Sequence, residues 1–224
     1  MSPRVRMSLP PEALAAYVAR QASNMFPDGD LTPDALRPAM PRALERLEHC
    51  FQAIDNRYFF DGESAVFSHL HGDQYAMWLY LLANQLHRDG APSAICDKLF
   101  LLNKALHGCD IFYEVELPSI FLLVHPLGTV LGRGRYSDYF VAYQRVGVGS
   151  NRDVYPRFEA HVTLRPGAAV LGDCTIGANS QIAAESLVLG EDVPPGSIYI
   201  GKPGAARIVT NRGPYPLWRR PANA

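Results

Sequence analysis

Residues 158–188 read FEAHVTLRPGAAVLGDCTIGANSQIAAESLV. Large apolar side chains recur here at every sixth position: Phe158, Leu164, Val170, Ile176, Ile182 and Val188. A mostly smaller side chain stands two residues before each: Pro156, Val162, Ala168, Cys174, Ser180 and Ser186. A fixed short period with one large and one small inward site is typical of a hexapeptide β-helix, in which three hexads close a triangular coil. Since one coil cannot bury its own faces, stacked coils must form the core.

The six-residue step continues upstream in a weaker form. It marks Ile111, Leu117, Leu123, Thr129, Arg135, Val141 and Gly147, of which Arg135 and Gly147 do not suit a core position. The whole repeat, about thirteen hexads, predicts roughly four coils. Its period breaks between about Val148 and Arg157 at a polar, turn-rich stretch, which we interpret as a loop leaving the solenoid. Loops carried by a rigid scaffold often carry function.

Residues 1–108 follow a helical period instead. Segment 69–88 has apolar residues at i, i+3, i+4 and i+7, which predicts a helix. Proline starts and glycine stops predict further helices over 11–26, from Thr32-Pro33 to Ile54 with breaks at Pro38 and Pro41, and over 92–107. Residues 55–68 are predicted to be a loop or short connector. We therefore predict an α+β chain with a helical domain (1–108), a β-helix (109–209) and an exposed C-terminal tail (210–224).

Composition narrows the functional class. The chain has 224 residues, 48% hydrophobic and 19% charged, which excludes a disordered chain. A net charge of −1 offers no basic excess for nucleic acid or an acidic membrane. No apolar run reaches the roughly 18 residues that span a bilayer, and no signal-peptide core is present. Four cysteines without a CxxC pair favour reduced thiols in the cytoplasm and no metal site.

Several segments resemble the serine acetyltransferase family. FLLVHPLGTVLG (121–132) is similar to its MLDHxTGxVIG segment, and AYQRVGVGSNRDVYPRF (142–158) to its LQxVTLGG..DRHPKI segment. LRPGAAVLGDCTIGANSQIAAESLVL (164–189) resembles its last coils, and GKPGAARIV (201–209) its closing GxPAxxV. The resemblance covers about residues 70–209. It implies a left-handed parallel β-helix, a homotrimer or dimer of trimers, and acetyl-CoA as the acyl donor.

The resemblance also assigns candidate site residues. It makes His125 the general base that deprotonates an acceptor hydroxyl, which then attacks the thioester directly. Tyr155 occupies the position of the family's second histidine, and Asp61 is a candidate for the acidic group of its helical domain. By position, the coenzyme candidates are Gly147, Gly149, Pro166, Ala183 and Ala184, with Lys202 and Arg207 for its phosphates.

Two departures from the family pattern bear on the acceptor. Val124 stands where the family has the Asp that orients the histidine ring. Val154 replaces the family's arginine, which removes a bidentate partner for a substrate carboxylate; Arg152 and Arg157 are candidate substitutes.

The acceptor therefore stays open between a serine-like compound and a sugar hydroxyl. One alternative is an N-acyltransferase acting on an amino sugar, whose amine needs less help from a base. Another is a catalytically degenerate scaffold or regulatory paralogue.

Overall fold

The computed structural model describes residues 5–213 and 217–219. Its N-terminal part is mainly helical. The elements are β1 (Val5–Met7), α1 (Pro11–Met25), α2 (Pro33–Leu36), α3 (Met40–Gln52), β2 (Ala65–Phe67), α4 (Gly72–Arg88) and α5 (Ser93–His107). The predicted helices are confirmed, with ends shifted by a few residues.

Local sequence signals explain where the helices begin and end. Proline lies in the first turn of α1, α2 and α3, where its missing N–H costs nothing. Gly108 ends α5 in the left-handed conformation with φ 62°. The predicted connector 55–68 differs from the structure, because β2 lies inside it and pairs in parallel with β1. A three-residue strand paired with a distant segment carries too little periodicity to be read locally.

Helix α4 is the centre of the helical region. Its residues from Gln74 to Leu86 are buried almost without interruption. It packs against α3 and α5, and it also contacts β3, the first strand of the solenoid. α4 therefore links the helical region directly to the solenoid.

The remaining strands build a parallel β-solenoid. They are β3 (Phe121–Leu123), β4 (Val130–Leu131), β5 (Arg135–Tyr136), β6 (Phe140–Ala142), β7 (Gly147–Gly149), β8 (Arg157–Phe158), β9 (Thr163–Leu164), β10 (Ala169–Leu171), β11 (Thr175–Ile176), β12 (Gln181–Ile182), β13 (Leu187–Leu189), β14 (Ser197–Ile200) and β15 (Arg207–Thr210). The predicted architecture, a helical region followed by a solenoid of about four coils, is confirmed.

Three sheets form the faces of the solenoid. The first face runs β3-β6-β9-β12-β14, with β15 added antiparallel at its end. The second face runs β4-β7-β10-β13, and the third runs β5-β8-β11. We call the turns between first-face and second-face strands the first corner, and those between second-face and third-face strands the second corner.

The six residues of the main hexapeptide run are all buried, as predicted. Each belongs to a stack of equivalent residues on one of the three faces. Leu164 lies between Ala142 and Ile182, and Val170 lies between Val148 and Val188. Parallel pairing in register places equivalent side chains above one another. The repeat period is therefore the distance along the chain from one face to the next.

The weaker upstream run keeps the predicted register at Leu123 and departs from it at the positions that follow. Arg135 is exposed, and the residues aligned with the core stacks of coils one and two are Leu131, Tyr136, Ala142 and Val148. Coil lengths vary here: Leu123 pairs with Ala142, and Ala142 with Leu164. Extra residues at the corners shift the six-residue count without disturbing the stacks. The predicted loop is confirmed between β7 and β8.

The predicted exposed tail is wrong at Leu217 and Trp218, whereas Arg212, Gly213 and Arg219 are exposed as predicted. Leu217 and Trp218 are half-buried, and Trp218 forms an antiparallel bridge with Ile54 of the helical region. Apolar side chains without any period can still bury area against a distant element, which sequence periodicity cannot show. Residues 214–216 and 220–224 of that tail lie outside the described residues. Among residues 5–213 and 217–219, no helix combines the length and apolarity needed to cross a bilayer.

Candidate active site

His125 lies at the first corner, directly after β3 and its neighbour Val124. Its backbone has a φ of 49°, the left-handed conformation that a tight corner requires. Its side chain is 76% exposed, so the imidazole is accessible to a ligand. An exposed imidazole at a solenoid corner has the reach and chemistry of a general base.

Asp73, in the first turn of α4, contacts His125 from the helical region. Asp73 Oδ1 accepts a hydrogen bond of 3.1 Å from the His125 backbone N–H. Its Oδ2 lies 3.7 Å from His125 Nδ1, longer than a hydrogen bond but within ion-pair distance. The Asp73 side chain is only 14% exposed, which strengthens its charge interaction. The helical region thus supplies the carboxylate that Val124 cannot.

The structure brings Asp73 to His125, whereas Asp61 is engaged in a turn. Asp61 Oδ1 accepts from the backbone N–H groups of Ser64 and Glu63, and its Oδ2 pairs with Arg6 at 3.0 Å. These two N–H groups, together with the Arg6 charge, hold the pKa of Asp61 below its usual value.

Sequence reasoning missed Asp73 as the partner of His125. The available signal is an acidic residue in the first turn of the strongest predicted helix. Its partner His125, however, lies 52 residues away, in the part of the sequence that follows the hexapeptide repeat and not the helical period.

Tyr155 lies at the second corner, half-buried in the loop before β8. It lines a cavity of about 300 Å³ together with Gly134, Pro156 and three arginines, Arg133, Arg135 and Arg157. Arg157 pairs with Asp173 and Arg133 with Glu114, each at 3.3 Å. Arg135 has no ion pair within the described part of the chain. A phenol among guanidinium groups suits an anionic or hydroxyl-rich ligand.

Arg152 lies at the tip of the same loop. Arg152 and Asp153 both have positive φ, 54° and 60°, and Asn151 and Val154 exchange backbone hydrogen bonds across them. This is the geometry of a tight two-residue turn. Arg152 is exposed and is not among the residues that line the Tyr155 cavity, whereas Arg157 is.

Most coenzyme candidates share the first corner with His125. After β9 comes Pro166, after β12 come Ala183 and Ala184, and after β14 comes Lys202. Gly147 is the first residue of β7, at the same corner. With strands 4.7–4.9 Å apart, four steps from β3 to β14 span about 19 Å. Gly149 instead closes β7 at the second corner, and Arg207 opens the exposed strand β15. The first corner therefore presents a column of small residues ending at an exposed lysine.

An ion pair crosses this column. Arg145 Nη2 lies 2.5 Å from Glu185 Oε1, although the two residues belong to corners two coils apart. The pair passes over Gly167, whose φ is 72° and where a Cβ would lie 2.5 Å from Glu185 Oε1. Both charged side chains are exposed, so this ion pair is weak and a ligand that binds along the column can displace it.

His125 and Tyr155 lie on different corners of one chain. His125 follows a first-face strand, whereas Tyr155 precedes a third-face strand. A single chain therefore does not place the imidazole and the phenol on the same edge.

The cysteines of the solenoid are core residues. Cys109 and Cys174 are buried, and burial raises the pKa of their thiols to about 12 and about 11. A thiol held protonated in this way is a poor nucleophile. Among the residues that the structure describes, no group of three His, Cys, Asp or Glu side chains forms a metal cluster.

Comparison with known proteins finds serine acetyltransferases. No family model matches the chain. It is 30% identical over 135 residues to the serine acetyltransferase of Staphylococcus xylosus, covering 58% of this chain and 62% of that protein. It is 27% identical over 196 residues to the serine acetyltransferase of Mycobacterium tuberculosis, covering 84% and 79%.

A solved structure gives the same result for the fold. The crystal structure of serine acetyltransferase in complex with coenzyme A from Brucella abortus matches 92% of this chain and 84% of that one, with a TM-score of 0.69 and 24% identity. The chain is thus similar in sequence to serine acetyltransferases and shares the hexapeptide-repeat fold of their solved structures.

Proposed function

We propose that the chain transfers an acetyl group from acetyl-CoA to a hydroxyl of a small polar acceptor, with His125 as general base. The observation that carries the proposal is the contact between the exposed imidazole of His125 and the largely buried carboxylate of Asp73. A carboxylate near Nδ1 favours the tautomer with a proton on Nδ1, which leaves Nε2 free to accept one.

The proposed reaction needs no covalent enzyme intermediate. Acetyl-CoA supplies an acyl group activated as a thioester. His125 Nε2 takes the proton of the acceptor hydroxyl while the oxygen of that hydroxyl forms a bond to the thioester carbon. The carbon–sulfur bond breaks, and the imidazolium returns the proton to the departing thiolate. Asp73 stabilises the imidazolium in between.

The first corner is the proposed binding groove for the coenzyme. Its column runs from His125 past Pro166, Ala183 and Ala184 to Lys202, and small side chains allow a pantetheine arm to approach the backbone. Lys202 is exposed at the far end, where a phosphate can reach it. The coenzyme A complex of the Brucella relative supports this donor.

A homotrimer, alone or as a pair of trimers, is the proposed assembly. In one chain His125 and the Tyr155 cavity occupy different corners. A neighbouring copy that packs its second corner against this first corner would place Tyr155, Arg135 and Arg157 beside His125. The acceptor would then meet an imidazole from one copy and guanidinium groups from the next.

The acceptor class is a serine-like compound or a sugar. The curated relatives are named for serine, which favours the first. Two features favour a sugar: Val154 stands where the family has the loop arginine, and Tyr155 offers a hydroxyl group. We propose a cytoplasmic enzyme because all four cysteines are free thiols.

Thiol release from acetyl-CoA tests the proposal. The acceptors are serine, homoserine, simple sugars and nucleotide-linked amino sugars. We expect turnover with one hydroxyl acceptor, and a loss of about 10²–10⁴-fold in kcat for His125→Ala. His87→Ala, at an exposed histidine in the last turn of α4, is the matched control.

Three results would contradict the proposal. Turnover that survives His125→Ala removes the assigned base. Turnover restricted to amine acceptors favours an N-acyltransferase. No turnover, together with no thermal stabilisation by coenzyme A, favours a scaffold.

A further inference from the structure

A second cavity, of about 380 Å³, lies between helices α3 and α4 and the segment before β3. Helix α3 contributes Arg42, Glu45, Arg46 and His49, α4 contributes Leu81, Gln85 and Arg88, and the segment before β3 contributes Leu117, Pro118 and Ser119. Asp73 and Gln85 are twelve residues apart on α4, about 18 Å along the helix axis. The cavity is therefore separate from the His125 corner.

Arg46 is half-buried, and its guanidinium donates hydrogen bonds to neutral amide side chains. Its Nη2 donates to Asn84 Oδ1 at 2.7 Å and its Nη1 to Gln85 Oε1 at 3.2 Å. Within residues 5–213 and 217–219, no carboxylate lies within ion-pair distance of it. A guanidinium has five N–H donors, so three stay available. Burial, followed by the charge of Arg88, lowers the pKa of Arg46, and the charge of Glu116 offsets only part of that shift.

The two other arginines of the cavity are already neutralised. Arg42 pairs with Asp89 at 2.8 Å, and Arg88 pairs with Glu116. A partly buried cation without a counter-ion is unfavourable unless a ligand supplies the opposite charge. Among the arginines of this cavity that the structure describes, Arg46 is therefore the one without a carboxylate within ion-pair distance.

The apolar part of the lining includes a segment that Tyr80 holds in place. The buried Tyr80 hydroxyl accepts a hydrogen bond of 3.0 Å from the Leu117 N–H and donates one of 2.6 Å to the Val115 carbonyl. Leu117, Pro118 and Leu81 form an apolar surface there. The lining thus combines the Arg46 guanidinium with apolar side chains, and Tyr80 holds the segment that contains Leu117 in place.

We propose that this cavity binds a small organic monocarboxylate, with its carboxylate on Arg46 and its hydrocarbon part against Leu81, Leu117 and Pro118. The planar guanidinium matches a carboxylate in two parallel hydrogen bonds. Glu45, exposed and without an ion pair among the described residues, adds a negative charge to the lining and disfavours polyanions. The volume suits a ligand of metabolite size.

Isothermal titration of the full chain tests this binding site. The probes are isovalerate, lactate and benzoate, with isoamyl alcohol as the neutral isostere of the first and inorganic phosphate as the more highly charged anion. We expect saturable binding of at least one monocarboxylate and none of the alcohol. Arg46→Gln should weaken that binding at least about tenfold, since it removes a charged hydrogen bond. Arg20→Gln, an exposed arginine of α1, should leave it unchanged.

A second variant keeps the test decisive if Arg46→Gln unfolds by circular dichroism. Glu45→Gln changes an exposed side chain and removes a repulsive charge, so the affinity should rise severalfold. The proposal is overturned if no carboxylate binds, if the alcohol or phosphate binds as tightly, or if Glu45→Gln leaves the affinity unchanged.

Discussion

His125 and Asp73 show how the candidate site depends on single contacts. The left-handed backbone at His125 turns its N–H towards Asp73 Oδ1, so one carboxylate holds both the corner and the ring. Asparagine at position 73 would keep the oxygen that accepts the N–H and would lose only the charge. The two roles of Asp73 can therefore be separated by a single substitution.

We expect Asp73→Asn to lower kcat by about tenfold, because an imidazolium formed beside a neutral amide loses its opposite charge. KM for acetyl-CoA and the thermal midpoint should stay close to the parent values, since the hydrogen bond to His125 is retained. Steady-state kinetics and a melting curve measure the two effects.

Glu12→Gln is the matched control for this prediction, because Glu12 is also an acid in the first turn of a helix. Equal activity of Asp73→Asn and the parent chain would remove Asp73 from the site. A fall in stability together with the rate would make Asp73 merely structural.

The stacked coils of the solenoid constrain its corner glycines in different ways. At Gly177 an added Cβ would lie 2.4 Å from the Pro195 nitrogen and 2.7 Å from its Cα, which are backbone atoms of the next coil. At Gly190 the φ is 63°, and nothing lies within 4 Å of an added Cβ. The first glycine is required by close approach and the second by conformation alone.

We expect Gly177→Ala to lower the free energy of unfolding by about 3 kcal/mol, because a backbone collision forces two coils apart. Gly190→Ala should cost only about 1 kcal/mol, the strain of a left-handed alanine. Urea denaturation measures both. Equal losses would show that the coils are free to separate at Gly177.

Over the whole molecule, the described C-terminal residues tie the helical region to the solenoid. The Asp55 N–H donates to the Leu217 carbonyl and the Arg219 N–H to the Ala53 carbonyl, each at 2.8 Å. Trp218 also packs edge-on against Tyr139 of the solenoid, with ring centroids 5.4 Å apart. One short segment therefore contacts both halves of the chain, in addition to the contact between α4 and β3.

We expect Trp218→Ala to lower the free energy of unfolding by about 1–3 kcal/mol through lost apolar burial. Hydrogen exchange should become faster at residues 53–60, where the backbone bonds of the tie end. Ile208→Ala, at an exposed residue of β15, should change stability by no more than about 0.5 kcal/mol. Unchanged exchange at residues 53–60 would show that Trp218 does not hold the two halves together.

The sequence alone determined the solenoid, the helical region before it and the loop before β8. These depend on local periods: a six-residue step that stacks Leu164 and Val170 on equivalent residues, and a helical step that buries α4. His125 was selected as a candidate through the resemblance of residues 121–132 to the serine acetyltransferase family. The register of the first two coils could not be predicted from the sequence. One extra residue at a corner shifts the six-residue spacing of the core positions without disrupting the fold.

Only the tertiary structure decided which groups meet. It brought Asp73 rather than Asp61 to His125, returned Trp218 to Ile54, and left Arg46 without a counter-ion. Each of these contacts joins residues from different elements, often more than 35 positions apart. A repeat pattern reports burial along one element, whereas the pairing of charges depends on how separate elements pack, and that is set by the whole fold.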